Sequence, residues 1–463
     1  MLALLKARTV RRVAELLAAA PRAIPTLELP ALARRDVQAA HPLTSSQRMA
    51  WELTHRRRQS LFEVPRRVVE LVGPLDALAL HRAAELVMIR HTALRATFVP
   101  SAHGLVQAIE TSPRVEWHEH EAITPRELAA LLEQPFDLEA GPLIRFVLSR
   151  TGADHHVFGF SVHHIVFDGG SMPAFVGDLA LAYRAVSAGT VPAWSPAYEL
   201  ADFAAWEQQV SHQHGATMAA YWRDQLAGAH PPALPLSDWT GELDFAPEPA
   251  ITHRLELTCL DRLGRTAAAT GSTPFLVALT SFGMTLRALL GSDEVCVASP
   301  YMRRDVEGAA GIVGYLAHPL VFRLGHTEDL ASAIMQTTEH VLGAYRHGHV
   351  PLMFGPDVFP GLPSSDALAG EQLYRIFFNY QRASSITFEL GDAVSVKPVD
   401  LGPESESRFP LMLFVVETPR ALIYNLVAQT RCYTPERLAA LATHFTADLE
   451  RTISRGGVDV ANL

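Results

Sequence analysis

Residues 157–162 (Val-Phe-Gly-Phe-Ser-Val) form a short apolar run that ends in two histidines, and this junction constrains the chain more than any other stretch. The run is β-branched or aromatic, which predicts a buried strand. His163 and His164 close it, Asp168, Gly169, Gly170 and Ser171 follow, and a helical pattern starts at Pro173. In a strand, successive side chains point to opposite faces. One histidine is therefore expected to enter a site and the other to return to the scaffold. The Asp-Gly-Gly is turn chemistry, with glycine expected to supply a positive φ at a sharp strand exit. A His-His-x-x-x-Asp-Gly frame arises by chance in about one chain in a thousand at ordinary residue usage, so chemistry is the favoured reading.

The rest of the chain alternates strand and helix patterns. Residues 143–150 and 157–162 read as paired strands around Gly152, and 64–72 as another strand. Helical spacing covers 1–20, 75–90 and the segment after Pro173. Two helices are expected beyond 198, one aromatic (198–206) and one carrying Tyr221, Trp222 and Leu226. Residues 229–250 are rich in Pro, Gly and Asp and read as the main linker. In the second half Thr273 and Pro274 start one helix, Thr434 and Pro435 another, with strand-like stretches between them. The expected division is 1–40 for an N-terminal helix and linker, 41–186 for a first lobe carrying the histidines, 187–250 for connecting helices and linker, and 251–463 for a second lobe. The fold class is mixed α/β (α+β), with a site between lobes.

Composition narrows the function. No apolar run approaches the length of a membrane helix, so no membrane partner is expected. The three cysteines, Cys259, Cys296 and Cys432, are isolated, which predicts a reduced, cytoplasmic location and no zinc-type spacing. His155-His156 lacks carboxylate or cysteine partners at ligand spacing, so no metal is expected. The net charge is −10, yet residues 1–100 carry 16 Lys and Arg against 8 Asp and Glu. An acidic overall balance without a recognisable motif argues against nucleic acid. The basic first hundred residues suit an acidic partner.

The ordered stretches resemble the condensation domain of nonribosomal peptide synthetases, within the chloramphenicol-acetyltransferase-like superfamily, from about His41 to the end. Residues 43–51, 90–98, 161–171 and 198–206 resemble its first four signatures. A fifth is looser at Gly314-Tyr315-Leu316-Ala317-His318-Pro319, where the family usually has Asn-Thr in place of His318-Pro319. The sixth, around His347 and Pro351, has Leu352 for phenylalanine. The seventh keeps Ser407-Arg408 and Pro410-Leu411, with Phe409 where asparagine is usual.

The resemblance implies two lobes in a V shape with a tunnel between them. An aminoacyl or acyl thioester on the phosphopantetheine arm of an acidic carrier protein enters from one side. A small-molecule or carrier-bound amine or hydroxyl acceptor enters from the other. No cofactor of the enzyme's own is implied. His164 is the expected catalytic residue, with His163, Asp168, Gly169 and Arg304 in support. Asp168 is implied to pair with an arginine of the second lobe, Arg304 before Arg303. Gly170, Ser171, His318, Asn379, Gln381 and Ser407 are the candidate tunnel-lining residues. Because the ends of the chain fall near the implied boundaries, a free-standing enzyme is also expected. The alternatives are a coenzyme A-dependent acyltransferase of the superfamily, an epimerisation domain, and a silent recruitment platform. The first, second and fourth signatures count against the coenzyme A branch and the retained histidine pair against a silent platform, while an epimerisation domain also keeps two histidines but departs elsewhere.

Overall fold

The computed structural model describes residues 27–35, 40–56, 66–102, 104–327, 329–350, 372–383, 388–391, 393–401 and 406–455. The expected helix over 1–20, and Pro351 and Leu352 of the sixth signature, lie outside them. The first half contains β1 (Ala40–Pro42), α1 (Ser45–Arg56), β2 (Arg66–Val72), α2 (Ala77–Arg90), β3 (Ala96–Ser101) and β4 (Gly104–Ile109). It continues with β5 (Glu116–Glu121), α3 (Pro125–Leu132), β6 (Ile144–Arg150), β7 (His155–Val162) and α4 (Met172–Ser187). Then α5 (Leu200–Gln225) leads to β8 (Glu248–Leu257), α6 (Leu260–Ala269), α7 (Pro274–Leu290), β9 (Glu294–Tyr301), β10 (His318–Gly325) and α8 (Leu330–Arg346). The chain closes with β11 (Ile376–Arg382), β12 (Ser395–Pro398), β13 (Glu406–Ser407), β14 (Leu411–Glu417), β15 (Leu422–Gln429) and α9 (Pro435–Arg455).

The result is mixed α/β in two lobes, each with its own sheet and core. In the first, β6 and β7 form the expected hairpin, with Phe146 opposite Phe160. Phe146, Phe158, Phe160 and Phe175 pack together beneath it, joining β6 and β7 to α4. In the second, β10-β9-β11-β14-β15-β8-β13 form a seven-stranded sheet. Its core lies against α7, which Thr273 caps through Leu276 N–H at 3.3 Å, and against α9.

Two expectations change. The two helices beyond residue 198 are one helix, α5, of 26 residues. Only Gly215 interrupts the side-chain pattern, and one interior glycine costs about 1 kcal/mol, too little to break a helix buried along much of its length. The strand Ser395–Pro398, placed in the second lobe by its position in the chain, instead pairs antiparallel with β2 and extends the first lobe's sheet. It covers the free edge of β2, which otherwise leaves a row of unpaired amides and carbonyls. Among the described residues, no single helix is long and apolar enough to cross a membrane.

Candidate active site

Strand β7 delivers the histidines to the junction of the lobes. His163 N–H donates to the Leu143 carbonyl (2.9 Å), and its ring Nδ1 accepts the Ile165 N–H (3.1 Å). The ring is buried, and burial pushes its pKa down to about 3, with the charges of His164 and Arg408 adding to the effect. It is a neutral acceptor that caps the turn. Residues His164–Val166 form a single 3₁₀ turn. Phe167 then plugs edge-on into Phe175 of α4, with ring centroids 5.7 Å apart.

His164 begins that turn and is half-buried. The Tyr315 ring tilts over it with centroids 4.3 Å apart. Burial lowers its pKa below the ordinary 6.5; Asp168 and nearby backbone carbonyls oppose the shift, while Arg408 reinforces it. The imidazole is therefore neutral at pH 7.

Asp168 is fully buried and both of its oxygens are engaged. One accepts Ser171 N–H (2.9 Å), Ser171 Oγ–H (2.9 Å) and Arg304 Nη2 (2.5 Å). The other accepts Leu316 N–H and Ala317 N–H, each at 3.0 Å. Ser171 Oγ in turn accepts the Gly314 N–H (3.0 Å). The carboxylate thus joins the histidine turn to a strap, residues 314–317, from the second half of the chain. Arg304 also donates to the Ala309 and Ile312 carbonyls (3.2 and 2.7 Å).

The glycines behave differently from expectation. Neither Gly169 nor Gly170 has a positive φ. Gly170 is needed for space: a Cβ there would lie 2.6 Å from Arg304 Cδ. A Cβ on Gly169 would meet nothing within 4 Å. Arg304 thus holds Asp168 because Gly170 makes room for it.

Arg303 has a separate task. It is fully buried with φ +51° and pairs with Glu207 of α5. It also donates to the carbonyls of Leu316 and His349 and to Ser46 Oγ. Glu207 accepts Ser45 N–H (2.6 Å) at the start of α1, where the helix end favours a negative charge. Ser46 Oγ donates to the Ala317 carbonyl (2.9 Å). Asp168 thus takes two strap amides while Arg303 and Ser46 take strap carbonyls. Neither Glu207 nor Ser46 is among the site residues expected from the sequence. Glu207 directly follows the aromatic stretch 198–206, and its acidic side chain amid buried positions of a helix was the available signal.

A family model for the condensation domain matches residues 37–463. The chain belongs to the condensation domain family. A linear gramicidin synthase of Brevibacillus parabrevis is 28% identical over 459 residues, 93% of this chain and 6% of that protein. A dimodular nonribosomal peptide synthase of Bacillus subtilis (strain 168) is 28% identical over 458 residues, 94% of this chain and 19% of that protein. The chain therefore spans only a small part of the length of these relatives. Among solved structures, the complex of the X-domain and OxyB from teicoplanin biosynthesis aligns with a TM-score of 0.80, 24% identity, 95% of this chain and 98% of that one. The first condensation domain of the calcium-dependent antibiotic synthetase, in complex with a substrate analogue, gives 0.72, 20% identity, 92% of this chain and 99% of that one. These likenesses establish the two-lobed chloramphenicol-acetyltransferase-like fold. Condensation domains of nonribosomal peptide synthetases are acyltransferase-type enzymes that form peptide bonds.

The remaining candidates fall in different places on this condensation domain. His318, expected to line the tunnel, is 2% exposed. It lies opposite Tyr301 in the β9–β10 register, with ring centroids 5.9 Å apart, and its pKa is pushed well down by burial and by the charge of Arg303. Strand register puts it on the Tyr301 face, so it is part of the buried scaffold. Ser407 is equally buried, and its hydroxyl donates to the Phe409 carbonyl (2.9 Å) and accepts Phe409 N–H (3.2 Å), closing a turn. Asn379 is half-buried and Gln381 exposed, both on β11. Among the described residues, no group of three or more His, Cys, Asp or Glu is arranged to hold a metal.

Proposed function

We propose that this condensation domain transfers an aminoacyl or acyl group from the phosphopantetheine thioester of an acidic carrier protein to an amine or hydroxyl acceptor. The observation that carries the reading is the placement of His164: half-buried, neutral, and fixed on a turn held from both halves of the chain. The basic first hundred residues suit the carrier.

The acceptor's N–H or O–H faces the His164 imidazole, and its lone pair attacks the thioester carbonyl. A C–N or C–O bond forms as the tetrahedral intermediate develops, then the C–S bond breaks. His164 takes the acceptor's proton and returns it to the departing sulfur. An α-amine, with a pKa of about 7.7–8.0, is already partly neutral at cellular pH, so His164 there orients it and collects the proton after attack. A hydroxyl stays protonated at that pH and needs the base during attack. His163 has no such role, because its Nδ1 is committed to Ile165 N–H. Asp168 has none either, because both oxygens hold Ser171, Arg304 and the strap.

The test is mass spectrometry of product from a loaded carrier protein, with His164→Ala as the control. Product from the native protein and a loss of about 10²-fold or more in the variant are expected. Undiminished activity in the variant would remove the role of His164. Transfer at full rate from free coenzyme A thioesters would remove the carrier.

A further inference from the structure

Residues 27–35, expected only as part of a linker, lie along α5. Hydrogen bonds fix their path: Arg35 N–H donates to Asp202 Oδ1 (2.8 Å), Trp206 Nε1–H donates to the Pro30 carbonyl (2.7 Å), and His214 Nε2 lies 3.1 Å from the Glu28 carbonyl. Asp202, Trp206 and His214 follow one i, i+4 stripe of the helix, so this arm runs antiparallel to it. From Asp202 to His214 the helix is about 18 Å long. Residues 28 to 35 reach about 24 Å when extended, enough to follow it. In each bond the arm contributes its main chain.

Its side-chain anchor is Leu32, which is 6% exposed while Ala31, Ala33 and Arg34 beside it are exposed. Leu32 joins an apolar cluster with Ala93 of the first lobe, Phe203 and Trp206 of α5, Ile312, and Leu316 of the strap. Arg34 lies over the Tyr198 ring, 5.4 Å from its centroid, and Tyr198 packs against Gly308, where a Cβ has no room. Leu316 is thereby held through each of its parts. Asp168 takes its N–H, Arg303 takes its carbonyl, and the Leu32 cluster takes its side chain. Phe203 of that cluster also lies under the Arg303 guanidinium, 5.0 Å away. The residue before Leu316 is Tyr315, whose ring covers His164.

We infer that residues 27–35 are a clasp that positions the strap, with Leu32 as the positioning residue. The effect on turnover rests on the acyl-transfer reading above. Leu32 acts through Leu316 and the adjacent Tyr315, not on the reacting atoms. Without it the strap keeps its peptide hydrogen bonds and loses the packing that fixes its side chains. A misplacement of about 1 Å near reacting groups costs up to about 10²-fold in rate. Because the arm binds as main chain with an apolar anchor, a free peptide of the same sequence can take its place.

The experiment uses the full chain carrying Leu32→Asp, which puts a charge into the cluster and releases the arm. Hydrogen exchange read by mass spectrometry should quicken by about tenfold or more over 314–317, with β14 and β15 at the native rate as internal reference. In the loaded-carrier assay kcat should fall by about tenfold or more at an unchanged KM. Leu32→Met keeps the anchor and should stay within about twofold of native on both readouts. Excess peptide of residues 27–35 should restore both in Leu32→Asp, a recovery that a misfolded variant cannot show, whereas the same peptide carrying Leu32→Asp should not. Leu32→Ala should give the same pattern at smaller amplitude, which keeps the test open if the aspartate prevents folding. Native exchange at the strap, exchange that quickens equally in β14 and β15, or a loss confined to KM overturns the clasp. Native turnover over a quickened strap removes Leu32 from the chemistry. A quickened strap in a protein whose native form transfers nothing keeps the clasp and removes the acyl-transfer assignment.

Discussion

Replacing Asp168 by asparagine isolates the part of the site that is held by charge. The carboxylate accepts five hydrogen bonds and is fully buried against Arg304. In Asp168→Asn the carboxamide oxygen still accepts the Leu316 and Ala317 amides, while its NH₂ is turned toward Ser171 and Arg304, which are donors themselves. The loss is that of a broken buried ion pair, about 3–5 kcal/mol. Asp168→Ala also strands the two strap amides at about 1–3 kcal/mol each, which brings the total to the order of a domain's whole stability. Asp168→Asn should therefore fold with reduced stability and Asp168→Ala should fail to accumulate as folded protein. Urea titration followed by the fluorescence of buried Trp206 and Trp222 reads the difference. Because the cost comes from an uncompensated Arg304, adding Arg304→Met to Asp168→Asn should recover about 1–2 kcal/mol, a coupling visible in a double-mutant cycle. A loss under about 1 kcal/mol in Asp168→Asn, or strictly additive effects in the double variant, would refute the reasoning.

Gly170→Ala should weaken both folding and turnover by displacing Arg304, whereas Gly169→Ala should stay within about 0.5 kcal/mol of the native protein; thermal melts with matched transfer assays distinguish them. Stability should fall with acid. Burial holds His163 near 3, His349 near 4 and His318 well below its ordinary value, so below pH 6.5 the unfolded chain binds protons that the folded chain refuses. The stabilisation is complete above pH 6.5 and declines as the pH drops toward 4, by at most about 1.4 kcal/mol per unit for each ring. His349→Gln should make the decline shallower, and a flat urea midpoint between pH 7 and 4.5 would contradict it. In the pH profile of kcat/KM, the acidic limb belonging to His164 should lie below pH 6.5, and Arg408→Met should move it upward by removing a cation that opposes protonation. A limb unchanged by Arg408→Met would show that another group titrates.

What the sequence made legible was what is local. The hairpin around Gly152, the caps at Thr273 and Pro274, and the turn after β7 all follow from spacing within a few residues. Long-range peptide contacts leave no such trace. Asp168 meets the amides of Leu316 and Ala317 almost 150 positions away, and any residue but proline supplies the same N–H. The crossing of β12 to β2 is similarly silent, because Ser-Val-Lys-Pro reads as an edge strand of either sheet. A motif position says nothing of which face of β10 His318 occupies; its register with Tyr301 decides that.

The same contacts explain why the signature stretches are spread so far along the chain. The strap 314–317 is buried, and its peptide groups are held from three directions: Asp168 and Ser171 below the histidine turn, Ser46 at the start of α1, and Arg303 fixed by Glu207 of α5. Tyr315 is the strap residue that meets His164, so the ring that packs over the imidazole is placed by backbone pinned from several distant stretches of the chain. A rigid first lobe alone would present His164 on its turn without the ring that packs over it. The second lobe alone would have a strap without its carboxylate. If His164 carries the proposed chemistry, its geometry is a property of the junction, and buried Asp168 and Glu207, neither available to substrate, bear on that chemistry through the strap.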